Sequence, residues 1–72
     1  MNQRMNTIAH ILNDSRDGTS ISQLAEQFRV TQRTIRNDLK ELNALLQQNN
    51  QPKLSIGKSG QVIPPEGFDQ LI

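Results

Sequence analysis

Two short helical patterns separated by a turn of a few residues, ISQLAEQFRVTQRTIRNDLKEL from Ile21 to Leu42, restrict this chain more than any other feature. In the first, Ser22 is an N-cap type of residue, and Leu24, Ala25 and Phe28 follow at helical spacing. In the second, Thr31 stands where a cap is needed, and Ile35, Leu39, Leu42 and Leu46 recur along one apolar stripe. At about 100° per residue, Arg33, Asn37 and Lys40 fall nearly opposite that stripe, with Arg36 at one margin. A helix held by its back and presenting cations and amides on its front needs a partner for that front. Arginine and asparagine are shaped for paired hydrogen bonds to guanine and adenine edges, and lysine suits phosphate.

The same reading extends along the chain. Met5, Ile8, Ala9, Ile11 and Leu12 predict a first helix from about Gln3 to Asn13. Turn formers fill residues 13–20, with Gly18 the natural site for positive φ, and Thr19 to Ile21 offer a two- or three-residue edge strand. The second helix is expected over about Gln23–Phe28, and the third from just after Thr31 to as far as Gln48, with Pro52 barring continuation. Beyond Pro52 the period shortens. Leu54-Ser55-Ile56 and Gln61-Val62-Ile63 flank Gly57-Lys58-Ser59-Gly60, which reads as a hairpin closed by Pro64 and Pro65. The expected fold is mainly α with a small β-hairpin: a winged helix-turn-helix of three helices plus a wing over residues 1–65. Residues 66–72 are expected to begin a linker to further C-terminal domains. Phe68, Leu71 and Ile72 are nevertheless apolar enough to pack.

Composition narrows the function. Seventy-two residues allow one domain, and with 33% apolar residues and two aromatics its core must be aliphatic and small. The net charge of +1 conceals an uneven distribution. Residues 29–60 carry Arg29, Arg33, Arg36, Lys40, Lys53 and Lys58 against Asp38 and Glu41, and the remainder is net negative. One basic face suits contact with phosphates. There is no cysteine, the only histidine is His10, and the glycines are scattered. No metal site, catalytic group, phosphate-cradling loop or cofactor site can be assembled from these residues, and no small-molecule ligand is expected. No stretch could span a bilayer and the first residues are too polar for a signal peptide, compatible with a cytoplasmic location.

The expected partner is double-stranded DNA. Gln32, Arg33, Arg36 and Asn37 are the candidate base readers, since the N-terminal part of a recognition helix enters the groove, while Lys40 suits a phosphate. Thr31 and Thr34 are assigned either to capping and backbone bonds or to phosphate. Ser22, as the expected cap of the second helix, marks an N-terminus whose amides can meet phosphate. Lys58 and Ser59 at the hairpin tip suit the backbone better than the bases. Two rivals remain open: a winged helix used for docking an acidic protein, and RNA binding. The second is disfavoured because stacking readers need exposed aromatics, and this chain has no Tyr or Trp.

The run LAEQFRVTQRTIRNDLKEL resembles a pattern of several bacterial winged helix-turn-helix families. Leu24, Ala25, Val30, Thr31, Thr34, Ile35, Arg36, Asp38, Leu39 and Leu42 match it. The pattern occurs in DeoR-type sugar repressors, in the DNA-binding end of biotin repressor, and in operon activators carrying phosphotransferase-system regulation domains. The last group, the mannitol- and lichenan-operon activators often catalogued with BglG-type antiterminators, is the most similar. Here Gln61 replaces the aromatic residue of that group's wing strand, and Arg29 stands at a turn position where Gly or Asn is frequent. The resemblance implies a cytoplasmic bacterial transcription regulator acting as a homodimer through regions beyond this chain. It also implies that His10 has no part in phosphotransfer.

Overall fold

A computed structural model describes residues 3–15 and 17–68. Its elements are α1 (Gln3–Asp14), β1 (Thr19–Ser20), α2 (Ile21–Phe28), α3 (Gln32–Gln48), β2 (Ser55–Ile56) and β3 (Gln61–Ile63). Three helices and a small antiparallel sheet make the expected winged helix-turn-helix architecture. α1 runs one residue further than its apolar pattern indicated, and its Met5, Ile8, Ala9 and Leu12 are buried while Ile11 is half-buried.

The start of α2 corrects the sequence reading. Its cap is Ser20, not Ser22, and the helix opens two residues earlier than expected. Ser20 has an extended backbone (φ −128°, ψ 155°), and its Oγ accepts the Gln23 N–H at 3.0 Å. This is the bond expected from an N-cap to the third helical residue. Ser20 can serve because β1 delivers it already extended, whereas Ser22 lies in the first turn with its side chain exposed. Ile21 thereby becomes a helical residue with its side chain in the core.

Both turns that follow are built on left-handed residues. Arg29 ends α2 at φ 56°, and the Val30 N–H reaches the Ala25 carbonyl at 3.0 Å. That bond closes the helix end and folds half-buried Val30 back on the core. The positive φ is the physical reason Gly or Asn suits position 29. Thr31 caps α3 as expected, accepting the Thr34 N–H at 3.1 Å. At the far end Asn50 takes φ 57°, while the N–H groups of Asn50 and Gln51 bond the carbonyls of Gln47 and Leu46. The helix is therefore closed by a Schellman-type arrangement before Pro52 is reached.

The wing is a three-stranded sheet in the order β1-β3-β2, both pairings antiparallel. Thr19 and Ser20 pair with Val62 and Gln61, and Ser55 and Ile56 pair with Ile63 and Val62. In the loop, the Gly60 N–H bonds the Gly57 carbonyl at 3.0 Å and the Gly57 N–H bonds the Gln61 carbonyl at 2.8 Å. Gly60 is left-handed at φ 84°. This is the three-residue hairpin loop that finishes with a glycine bulge.

Gly18 permits β1 to reach β3. A Cβ there would lie 2.5 Å from the Val62 carbonyl oxygen, and φ is 86°. Gly18→Ala should therefore destabilise the domain by more than the roughly 1–2 kcal/mol of a left-handed non-glycine residue, because the strand backbone must also move. A urea midpoint equal to that of the wild type would show that the β1–β3 contact is dispensable.

The core lies where the three helices meet under the sheet. α3 contributes Ile35, Leu39, Leu42 and Leu46, α2 contributes Ile21, Leu24 and Ala25, and Leu54 and Val62 enter from the wing. Phe28, a core candidate by its spacing, is only half-buried against this cluster. Phe68, beyond the boundary expected at residue 65, is 3% exposed and belongs to the core. Leu71 and Ile72 lie outside the described residues.

Candidate nucleic-acid interface

α3 is 17 residues long and packs its apolar stripe against α1 and α2. The consequence is geometric. With Ile35, Leu39, Leu42 and Leu46 buried, the other side of the helix must face outward. Gln32, Arg33, Arg36, Asn37 and Lys40 are all exposed. They form one surface along the N-terminal half of α3, bringing together five of the six α3 side chains weighed for bases or phosphate, the sixth being Thr34. Glu41, also exposed, is the first acid along this side.

The two threonines belong first to the helix start. Besides the cap bond, the hydroxyls of Thr31 and Thr34 lie 3.0 Å apart and share a hydrogen bond. Thr31 is exposed and Thr34 half-buried. The bond fixes the entry of the chain into α3, and hence where Gln32 and Arg33 begin.

The start of α2 is also tied to the wing. The Ile21 N–H donates to the Gly60 carbonyl at 2.8 Å, which ties the first residue of α2 to the residue following the hairpin tip. Ser22 follows Ile21 in the chain, Lys58 and Ser59 precede Gly60, and all three are exposed. The amides of Ile21 and Gln23 are already engaged, by Gly60 and by Ser20 Oγ. That leaves this helix start fewer donors than a bare N-terminus would offer.

Two supports were missed by the sequence reading. Asp38 is 5% exposed, a carboxylate on the buried side of α3. Arg4 from α1 grips it with two bonds, Nε to Oδ2 and Nη2 to Oδ1, the latter at 3.1 Å. The signal was available: position 38 is three residues after Ile35 and four before Leu42, within the buried stripe, where an acid requires a cation. The hydrogen bond to Asp38 raises the Arg4 pKa above its ordinary value against a smaller opposing effect of desolvation, and the Asp38 charge adds to the rise. The stability linked to a raised arginine pKa is present below its ordinary value and is lost only in strong alkali. The other support is Asn43, whose Oδ1 accepts the Leu54 N–H at 2.8 Å. It fastens the chain entering β2 to the back half of α3.

His10 is exposed on α1, and Ile56 and Ile63 are large apolar residues left exposed on the wing. Among the described residues no helix is long and apolar enough to cross a membrane. No curated protein and no solved structure matches the chain. A family model described as an HTH domain matches residues 4–57, from Arg4 of the α1 support, through the capped turn and the exposed face of α3, to the first strand of the hairpin. The chain therefore belongs to the helix-turn-helix domain family.

Proposed function

We propose that this domain binds double-stranded DNA sequence-specifically as part of a bacterial transcription regulator. A helix-turn-helix domain is a DNA-binding module of such regulators. The observation that carries the reading is the exposed row of Gln32, Arg33, Arg36, Asn37 and Lys40 on the outer side of a helix whose other side is buried. Gln32, Arg33, Arg36 and Asn37 read base edges in the major groove. Lys40, Lys58, Ser59 and Ser22 hold phosphates, and Thr31 and Thr34 set the helix start beside the backbone. The resemblance of the TIRNDL segment supports a sugar-utilisation operon as the target. It also supports a cytoplasmic homodimer assembled through regions outside this chain.

A gel shift against random duplex at increasing salt tests the reading. Contacts to phosphate release counterions, so affinity must fall steeply as salt rises. Binding that ignores salt, or none at all, returns the exposed row to an ordinary solvated surface or a protein-docking face. Within the same assay, Arg36→Ala should narrow the gap between a preferred and a random duplex by about 1–3 kcal/mol, the worth of a paired arginine–base contact. Lys58→Ala should weaken both duplexes alike. Equal weakening by Arg36→Ala would move Arg36 to the phosphate backbone.

A further inference from the structure

We infer that Arg4 is a positioning residue for DNA recognition, setting through Asp38 the rotation of α3 about its own axis. This rests on the proposed DNA reading of α3. The apolar contacts that hold α3 to the rest of the core are non-directional, and they set its rotation by the fit of side chains and not by any directed bond. The fork between Arg4 and Asp38 is different in kind. A guanidinium bound through Nε and Nη2 to the two oxygens of one carboxylate fixes both distance and plane.

Asp38 is the one charged residue buried among the described residues, and it follows Asn37 directly, two positions after Arg36 and two before Lys40. A rotation of α3 that breaks the fork therefore moves the proposed readers by the same angle. With side chains reaching about 5–6 Å from a helix axis, a turn of roughly 20° shifts their ends by about 2 Å. That is enough to take a hydrogen bond out of range. Phosphate contacts tolerate such a shift, because a charge acts over a Debye length of about 8–10 Å. Base contacts do not. The fork thus bears on discrimination more than on affinity. Lysine in place of Arg4 keeps the charge but, as a point donor on a flexible stem, does not keep the plane.

The test uses the 72-residue chain and duplexes that the wild type selects from a random pool, each compared with its own shuffled sequence. Arg4→Lys should bind the shuffled duplex within about twofold of wild type and the selected duplex about tenfold more weakly. Residual dipolar couplings of the free protein should show α3 turned or loosened relative to α1. A second variant, Arg4→Gln with Asp38→Asn, replaces the ion pair by two amides and should show the same loss without leaving a lone buried charge. Unchanged discrimination in both variants overturns the inference. So does equal weakening of both duplexes, which would place Arg4 on a phosphate, or unfolding of both variants, which would make the pair a stability element alone. If the wild type selects no duplex, the DNA reading fails on its own account, and the dipolar couplings still decide whether the fork orients α3: an unchanged α1–α3 orientation in both variants overturns it.

Discussion

Leu39→Ala is expected to leave the chain largely unfolded at room temperature, or to drop its melting midpoint by tens of degrees. Leu39 is fully buried on α3, in the stripe between Ile35 and Leu42, where that helix meets the other two. Truncating a buried leucine removes its transfer free energy and leaves a cavity, together about 2–5 kcal/mol. A chain of this length has a total stability of roughly 4–11 kcal/mol at the usual value per residue. For domains of about 60–100 residues each kcal/mol corresponds to about 4–8 °C. Ile35→Ala should behave similarly, since Ile35 is equally buried on the same stripe. Phe28→Ala should cost less than the roughly 3–5 kcal/mol of a buried phenylalanine, because Phe28 is only half-buried. A circular-dichroism melt decides the matter. Were Leu39→Ala to melt like the wild type yet fail to bind DNA, Leu39 would have to be placed at the interface and the orientation of α3 reconsidered.

The helices and the wing were legible because their signals are local. The apolar stripe of α3, the capping hydroxyl of Thr31 and the glycine-bounded hairpin each lie within a few residues of what they specify. What sequence reasoning misplaced depended on the chain's return. Ser20 and Ser22 are equally good caps by residue type, and the choice falls to Ser20 because β1 pairs with β3, some forty residues later, and holds Ser20 extended. The fork from Arg4 to Asp38 spans 34 positions, and the bond from Leu54 to Asn43 spans 11 across the end of a helix. Phe68 lies beyond two prolines that read as a stop, and only the packed core shows where it goes. In the candidate interface the exposure of Arg33, Arg36, Asn37 and Lys40 on α3 followed from periodicity, and Gln32 was added from its place at the helix start. The approach of the α2 start to the hairpin loop did not, because it is made by the β1–β3 pairing and the bond from Ile21 to Gly60 that continues it.

Joining two copies of this domain should tighten binding to an operator of two half-sites by at least roughly 100-fold over the single copy. The domain measures 30 Å along its longest axis, less than one turn of duplex, whose half-sites repeat at about 34–36 Å. Only the N-terminal half of α3 presents the proposed readers, so one copy meets few base pairs. Its cations on α3 and at the wing tip number four, Arg33, Arg36, Lys40 and Lys58, which limits the counterions released. A single copy at near-physiological salt should therefore bind one half-site no more tightly than about micromolar, within the usual non-specific range. A second copy held by a linker binds intramolecularly, at an effective concentration of order millimolar for a short flexible connection. That concentration supplies the gain without any new contact. The measurement is a titration of the single chain, and of a leucine-zipper fusion, into duplexes carrying one or two half-sites of the selected sequence. Nanomolar binding of the single chain to one half-site would refute the argument, since one helix face would then suffice and the proposed homodimer would be unnecessary for recognition.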